Sequence, residues 1–446
     1  MPTKRTNIDG PIETQLQLPI GEGIGPVVVD LFAGCGGLSL GMEQAGFRSI
    51  YVNELDPDAR DSYLLNRSYL SNGSDLRSRF NSSDIKSLTT NNGDKLEELR
   101  IGFNSLGIGD GEIDLVTGGP PCQGFSGIGY RRSYAVDKHQ LPSNHLFQDM
   151  AYVIAQLKPK MFLFENVKGL LTARWRDGGD KGEIWERVKE AFAAIPGYQT
   201  RHALLRAGQY GVPQNRPRIM LVGIREDIAQ MNWTPNPDLI ADGLLPEAHE
   251  NPAPDLIDVL GDLVDDNPNN WKGGVTSSYP SPATSTIQKY FRRKVTGKLA
   301  RKGDPITEHE YTKHSDKIYQ KFEIMQGTGG DIPPEMKTRK FAQRLLPQRW
   351  RNGRPTITAT SLPDDFVHFS QPRILTVREW ARLQTFPDWY QFCGKRTTGG
   401  TRRAGNPRCG LYERELPKYT QIGNAVPVLL AKAIGAHFRK LIANGE

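Results

Sequence analysis

The sequence predicts an α/β protein, an open sheet carrying helices, with an inter-domain region beyond it. Three observations predict it. Short, near-continuous apolar runs recur and end abruptly, as buried strands do. The first, Val27-Val28-Val29-Asp30-Leu31-Phe32, passes through a Gly-rich turn into an amphipathic helix. Composition then shifts after about Asn232, where Pro, Asn and Asp cluster. In open α/β sheets ligands bind in the crevice beyond the carboxyl ends of the strands, so what each strand ends on carries the functional information.

Residues 1–25 are polar and punctuated by Gly and Pro, and a flexible arm is expected. The first strand leads into Ala33-Gly34-Cys35-Gly36-Gly37, then a helix from about Leu38 to Ala45 closed by Gly46. Glycines there allow close approach to the backbone, and a helix N-terminus favours negative charge. The spacing Gly34-x-Gly36-Gly37 is not GxGxxG, which argues against a dinucleotide site. A second strand, Arg48 to Asn53, ends on Glu54, where a ribose is often held by its hydroxyls. Asp84-Ile85 closes a polar loop that begins at Ser68.

The strand expected at 113–117 is stopped by Gly118-Gly119-Pro120-Pro121, which hold Cys122 at its carboxyl end. Free cysteines are commonly buried and inert, so Cys122 acquires a role only from its surroundings. The Gly-rich, basic stretch after it reads as a mobile loop able to close over phosphates. A helix is expected over Leu146 to Leu157. The strand Met161 to Phe164 that follows delivers a carboxylate, Glu165, to the same edge. Arg201 to Leu205 reads as a further strand. A loop carrying Gln214, Arg216 and Arg218 leads into the strand Ile219 to Gly223.

Beyond 232 an acidic patch, Asp255 to Asp266, surrounds one short helix (Leu256 to Leu263) in an expected inter-domain region. Two basic stretches follow. The first runs from Lys289 to Lys302 around Tyr290 and Phe291, and the second from Lys337 to Arg354. Aromatics interleaved with cations favour a nucleic-acid surface. Thr376-Val377-Arg378-Glu379 has the form of a capping box opening a helix through Leu383. Gln421-Ile422-Gly423-Asn424-Ala425-Val426 precedes an apolar helix, Val428 to Ile442, expected to pack back on the first domain.

Apolar residues make up 37% of the 446 and charged residues 24%, enough for a sizeable core and against broad disorder. The net charge of +7 favours a polyanionic partner. Cys35, Cys122, Cys393 and Cys409 form no CxxC pair, and no signal-peptide pattern opens the chain, so reduced thiols of an intracellular protein are expected. No metal site and no membrane span are expected.

With these residues together, the chain resembles the DNA (cytosine-5)-methyltransferases of the bacterial restriction–modification type. The resemblance is carried by Asp30-Leu31-Phe32-Ala33-Gly34-Cys35-Gly36-Gly37, Pro120-Pro121-Cys122-Gln123-Gly124-Phe125-Ser126, Glu165-Asn166-Val167 and Gln214-x-Arg216-x-Arg218. Arg378-Glu379-x-Ala381-Arg382-Leu383-Gln384-x-Phe386-Pro387 and Gln421 to Val426 complete it, in the family's order. It implies a Rossmann-like S-adenosylmethionine-dependent methyltransferase sheet with helices on both faces, plus a smaller irregular target recognition domain. The expected division is 1–25 arm, 26–230 catalytic and cofactor-binding, 231–420 target recognition, and 421–446 returning to the catalytic domain.

The resemblance also implies the site. Cys122 is the nucleophile that adds to cytosine C6, Glu165 assists at N3 as a partly protonated carboxyl, Arg218 supports the base and Glu165, and Arg216 lies nearby, on phosphate. S-adenosyl-L-methionine is the cofactor, held by Asp30, Phe32, Ala33, Gly34, Gly36, Gly37, Leu38, Glu54, Asp84, Pro120, Asn424 and Ala425. Gln123, Ser126, Arg131 and Arg132 contact DNA around a flipped-out base. Double-stranded DNA is the expected partner, with a cognate endonuclease acting on the same site without stable complex. A cytoplasmic monomer is expected. One branch of the family methylates transfer RNA; the long basic region after 232 argues for duplex DNA. The intact Cys122, Glu165 and Arg218 argue against a silent DNA-binding module.

Overall fold

The computed structural model describes residues 25–67, 80–90, 93–121, 142–176, 178–249, 253–337, 343–350, 366–397 and 415–443. Its centre is a seven-stranded sheet: β1 (Val27–Leu31), β2 (Arg48–Asn53), β3 (Asn81–Ser82), β4 (Leu115–Gly118), β5 (Met161–Val167), β6 (Tyr198–Arg206) and β7 (Pro217–Arg225). The spatial order is β3-β2-β1-β4-β5-β7-β6. The first five strands run parallel, while β7 inserts antiparallel between β5 and β6. The strand expected at 113–117 starts two residues later, and the strand around Ile219 to Gly223 extends back to Pro217.

Both faces of the sheet are covered, which is why its strands read as unbroken apolar runs. On one face lie α3 (Asp94–Ser105), α4 (Leu146–Leu157) and α5 (Glu183–Ala193), packing Phe103, Ile154 and Phe192 against Val29, Val116 and Phe162. On the other, α1 (Gly37–Gln44) and α9 (Val428–Ala443) pack Met42, Ile434 and Phe438 against Val28, Leu115 and Met220. Each such side chain contributes about 1.5–3 kcal/mol when fully buried. Before α3, α2 (Pro57–Leu65) starts from Asp56, whose carboxylate accepts from the Ala59 amide at 2.9 Å.

The helices α1 and α9 meet at glycine. A Cβ on Gly41 would lie 2.3 Å from Ala431 Cβ and 2.6 Å from Val428 O, and one on Gly435 would lie 2.8 Å from Ala45 Cβ. The backbones approach too closely for any larger residue.

A further core gathers Leu256, Val259, Phe291, Trp380 and Phe386 around α6 (Thr286–Arg292) and α7 (Val377–Leu383). The capping box forms: Thr376 Oγ1 accepts from the Glu379 amide at 3.2 Å, and Glu379 Oε2 accepts from the Thr376 amide at 2.8 Å. Glu379 also takes both terminal nitrogens of Arg373, at 2.7 and 2.8 Å. Beside it Arg382 spans Asp262 and Asp388 at 2.5 and 2.7 Å, and Arg292 meets Asp262 at 2.6 Å. The short helix expected over Leu256 to Leu263 breaks at Gly261 into an α-turn and a 3-10 turn, and this aims Asp262 inward.

The expectation of a nucleic-acid surface at Tyr290, Phe291 and Arg292 therefore fails. All three are buried, because Asp262 draws the guanidinium into the core. Lys289, Lys294, Lys298, Arg301 and Lys302 stay exposed, as do Lys337, Arg344 and Arg349. Arg339, Lys340, Arg351 and Arg354 lie outside the described residues.

Gly41→Ala tests the helix crossing. A methyl group there must push α9 away from α1, and overpacking of this kind costs about 1–3 kcal/mol, more than the helix-propensity gain of about 1 kcal/mol. A lowered midpoint in thermal unfolding is expected; an unchanged or raised one contradicts the crossing.

Candidate active site at the carboxyl edge of the sheet

Four turns and two strands converge at one edge. After β1 the chain enters the left-handed region at Phe32 (φ 55°), Gly34 (φ 56°) and Gly36 (φ 86°). For a residue as bulky as Phe32 this is a strained conformation, held because the surrounding hydrogen bonds over-determine it. The Ala33 amide donates to Asn53 O and the Gly36 amide to Ala33 O, both at 3.0 Å. A Cβ built on Gly34 would meet no described atom within 4 Å, so the turn faces open space there. Leu38 is buried beneath it.

Asp30 does not reach that space. Its carboxylate is fully buried, accepting from Thr117 Oγ1 at 3.0 Å and from Ser39 Oγ, and Tyr63 donates to Ser39 at 3.0 Å. Asp30 and Thr117 are register partners on β1 and β4, so this carboxylate ties both strands to the start of α1. Burial pushes its pKa up to about 6, against the lowering effect of the Ser39 and Thr117 hydrogen bonds.

Glu54 follows β2 and is partly buried. Its Oε2 accepts from the Gly34 amide and its Oε1 from the Asp56 amide, both at 2.8 Å. Burial lifts it to about 7, opposed by those two amides. Asp84, beyond β3, is exposed and accepts from the Lys86 amide at 2.9 Å. Leu55, beside Glu54, is 69% exposed.

After β4, Pro120 is buried and Pro121 exposed. Cys122, Gln123, Ser126, Arg131 and Arg132 lie outside the described residues. The turn into Cys122 is anchored from β5: Asn166 Nδ2 donates to Pro120 O at 3.0 Å. Glu165 sits inside β5 rather than at its end, and its Oε2 would lie 2.9 Å from a Cβ on Gly119. Only glycine lets that carboxylate come so near the turn.

The partner of Glu165 comes from β7. Glu165 pairs in register with Met220 and Val167 with Arg218, which makes Glu165 and Arg218 diagonal neighbours on one face. Arg218 Nε stands 2.6 Å from Glu165 Oε1, both side chains about nine-tenths buried. Burial lowers the pKa of Arg218, and Glu165 opposes that shift. Arg216 differs from expectation. It is 1% exposed, and its Nη2 donates to Gly423 O at 2.6 Å and Asn424 O at 3.1 Å. Burial and the neighbouring Arg218 hold its pKa well below the usual guanidinium range. A phosphate contact is thus corrected to a brace between β7 and the C-terminal turn, because two carbonyls already occupy its donor deep inside the protein.

Two glutamines complete that brace. Gln214 Nε2 donates to Leu383 O at 2.7 Å and Gln384 Oε1 at 2.9 Å, and Gln384 Nε2 donates to Ile422 O at 2.8 Å and Ala425 O at 3.2 Å. Asn424 is exposed at the end of α8 (Lys418–Asn424), and Ala425 is partly buried. Val426 O would lie 2.4 Å from a Cβ on Gly37, so the C-terminal turn rests directly on the start of α1. Thr117, Ser39 and Gln384 escaped prediction as site supports. Their partners are set by register and by long-range packing, and no local pattern announces either.

Among the described residues no group of three or more His, Cys, Asp or Glu could hold a metal ion, and no helix is long and apolar enough to cross a membrane.

The architecture matches a solved fold. The crystal structure described as that of a "putative DNA modification methyltransferase" encoded within a prophage of E. coli superposes with a TM-score of 0.63 at 22% identity, covering 94% of this chain and 99% of that one. The chain belongs to the C-5 cytosine-specific DNA methylases, whose family model matches residues 27–440. It is a C-5 cytosine DNA methyltransferase of the restriction–modification type. Similar proteins include the type II methyltransferase M.XorII of Xanthomonas oryzae pv. oryzae, 32% identical over 94% of this chain and 85% of the relative. Another is the type II methyltransferase M.DdeI of Desulfomicrobium norvegicum, 30% identical over 91% and 87%.

A pH test follows from Glu54. A carboxyl with a raised pKa binds its proton more tightly in the folded chain than in the unfolded one. The stability tied to it is full at low pH and is lost as pH rises from the ordinary 4.5 through about 7. Relative to the native chain, Glu54→Gln should therefore gain a few degrees in midpoint between pH 5 and pH 8. A difference that does not change with pH contradicts the burial of this charge.

Proposed function

We propose that the chain transfers a methyl group from S-adenosyl-L-methionine to C5 of a cytosine flipped out of double-stranded DNA, within one short sequence. The transfer proceeds through a covalent bond between Cys122 and C6. The observation that supports this best is the Glu165–Arg218 pair lying against the Gly119 turn that leads into Cys122.

Cytosine C5 is a poor nucleophile, and attack at C6 by the Cys122 thiolate makes the ring electron-rich at C5. A thiol of ordinary pKa, about 8.5, is mostly protonated at neutral pH, so the site must favour the anion. Glu165 is assigned to N3, where hydrogen bonding or proton donation offsets charge building in the ring. Arg218 holds Glu165 in place; Arg216 is a positioning residue acting through the carbonyls of Gly423 and Asn424. Loss of the C5 proton and expulsion of Cys122 complete the reaction.

The cofactor, when bound, supplies an electrophilic methyl group. The residues fit it: the open side of Gly34 and the amides at the start of α1 suit its methionine end, Glu54 its ribose hydroxyls, and Phe32 its adenine ring. Ala33, Gly36, Gly37, Leu38, Pro120, Asn424 and Ala425 form the walls, with Asp84 at the rim. Asp30 acts from beneath as a support. Gln123, Ser126, Arg131 and Arg132 are assigned to DNA around the extruded base, and 231–420 to target recognition, with 26–230 and 421–446 forming the catalytic unit. The enzyme acts as a monomer in the cytoplasm, and a cognate endonuclease would share its target sequence.

Expression in methylation-free cells, with 5-methylcytosine mapped by bisulfite sequencing, tests the reading. One short motif methylated at one cytosine is expected; methyl incorporation into transfer RNA alone, or none, overturns it. Cys122→Ala should abolish transfer, and Glu165→Gln should lower kcat by about 10²-fold or more, the usual span for a lost acid–base group. Full activity in Cys122→Ala overturns the covalent route.

A further inference from the structure

The glycine turn after β1 is gripped from behind by residues that no part of the proposed chemistry uses. The Tyr390 hydroxyl donates to Cys35 O at 2.5 Å and accepts from Arg67 Nη1 at 3.1 Å. Arg67 Nη2 donates to Gly36 O at 3.3 Å. A Cβ on Gly36 would lie 2.8 Å from each of Arg67 Nη1, Tyr390 OH and Tyr63 Cδ2, so three side chains close on the place where a side chain would be. Arg67 lies 3.6 Å above the Tyr63 ring, and its charge is met by Glu43 at 2.7 Å. All of these groups are buried.

Tyr390 is itself latched to the end of α2. The Gln391 amide donates to Asn66 Oδ1 at 2.9 Å, and Asn66 Nδ2 donates back to Gln391 O at 2.8 Å. The grip therefore comes from a segment distant in sequence, just past α7.

We infer that Tyr390 and Arg67 are positioning residues for cofactor binding, which act by pinning the carbonyls of Cys35 and Gly36. The Gly36 carbonyl also accepts from the Leu40 amide at 2.9 Å, and a trans peptide points its N–H opposite to its carbonyl, so Arg67 and the first turn of α1 together fix the direction of the Gly37 amide. The Gly37 amide is thus oriented toward the methionine end before the ligand arrives, while the Cys35–Gly36 peptide is held between Tyr390 and Ala33, and ligand binding need not supply that ordering. The inference rests on the reading of this turn as the cofactor cradle.

Tyr390→Phe removes one hydroxyl and leaves Arg67 Nη1 on Tyr63 O at 3.0 Å. The buried Cys35 carbonyl then lacks its donor. Binding of S-adenosylmethionine to the full-length chain, measured by calorimetry, should weaken about five- to tenfold, with kcat at saturating cofactor and KM for DNA within twofold of the native chain. Arg67→Lys keeps the charge beside Glu43 but reaches the Gly36 carbonyl poorly, and should weaken binding in the same direction. Tyr279→Phe is the control: it deletes an equally buried hydroxyl, bonded to Asp388 Oδ2 at 2.8 Å, and should lower the thermal midpoint without changing cofactor affinity.

Unchanged affinity in Tyr390→Phe and Arg67→Lys, or an equal loss in Tyr279→Phe, overturns the positioning role while leaving the cradle intact. A native chain that does not bind the cofactor overturns the cradle and the inference together. If Tyr390→Phe does not fold, the Arg67→Lys affinity decides.

Discussion

Backbone meets backbone between the two ends of the chain at Gly37 and Val426, and the active edge depends on that approach. Val426 O occupies the position a side chain at Gly37 would need, and Gly41 repeats the arrangement one turn further along α1. Because α9 lies so close, the turn from Gln421 to Val426 is carried to the mouth of the sheet. Its carbonyls become the wall on which Arg216 and Gln384 spend their donors. Buried donors are costly to leave unmet, so each of these bonds reports that the turn is seated. Backbone acceptors also make the wall indifferent to the side chains the turn carries, which leaves Asn424 exposed and available.

Buried charge is used in two ways. Asp262, Glu379 and Asp388 have both oxygens taken by arginines or amides, and they hold α6 and α7 in place. Such pairs are weak evidence for net stability, since desolvation offsets most of the attraction; their clear effect is to fix one arrangement. Glu165 differs in geometry. One oxygen faces Arg218, while the other is directed at the Gly119 turn. A carboxylate meant only to brace would be satisfied on both sides from within the fold, as Asp30 is by Ser39 and Thr117.

Much of the fold is legible in the sequence. Strands buried on both faces leave apolar runs, so β2 and the helix Leu146–Leu157 were legible to the residue, as was the capping box at Thr376. Direction was not, because an apolar run is the same read either way, and the antiparallel insertion of β7 followed from packing alone. Arg292 and Arg216 misled for a related reason. A cation in a basic stretch resembles solvated charge until its partner is known, and Asp262 and the Gly423 carbonyl stand far from them in sequence. In the site, the turn-forming residues were legible because glycine, proline and strand-end acids have local meaning. Asp30 was legible as a residue of the edge, but its burial depended on register with Thr117.

The direction of the strands also separates two mechanical tasks. The parallel half, β3-β2-β1-β4, presents turns at the edge, and turns such as Phe32–Gly36 hold their shape through a few specific bonds and positive φ angles. The antiparallel pair β5 and β7 presents side chains from within a ladder, where Glu165 and Arg218 are held by backbone hydrogen bonds along both strands. Groups on regular elements are positioned more tightly than groups on loops. On the proposed reading, the carboxylate assigned to the base has that precision, whereas the surface assigned to the cofactor is built of turns. Among the described residues one turn belongs to both halves, Gly118 to Pro121: it leaves a parallel strand, yet Asn166 of β5 ties its Pro120 carbonyl to the ladder.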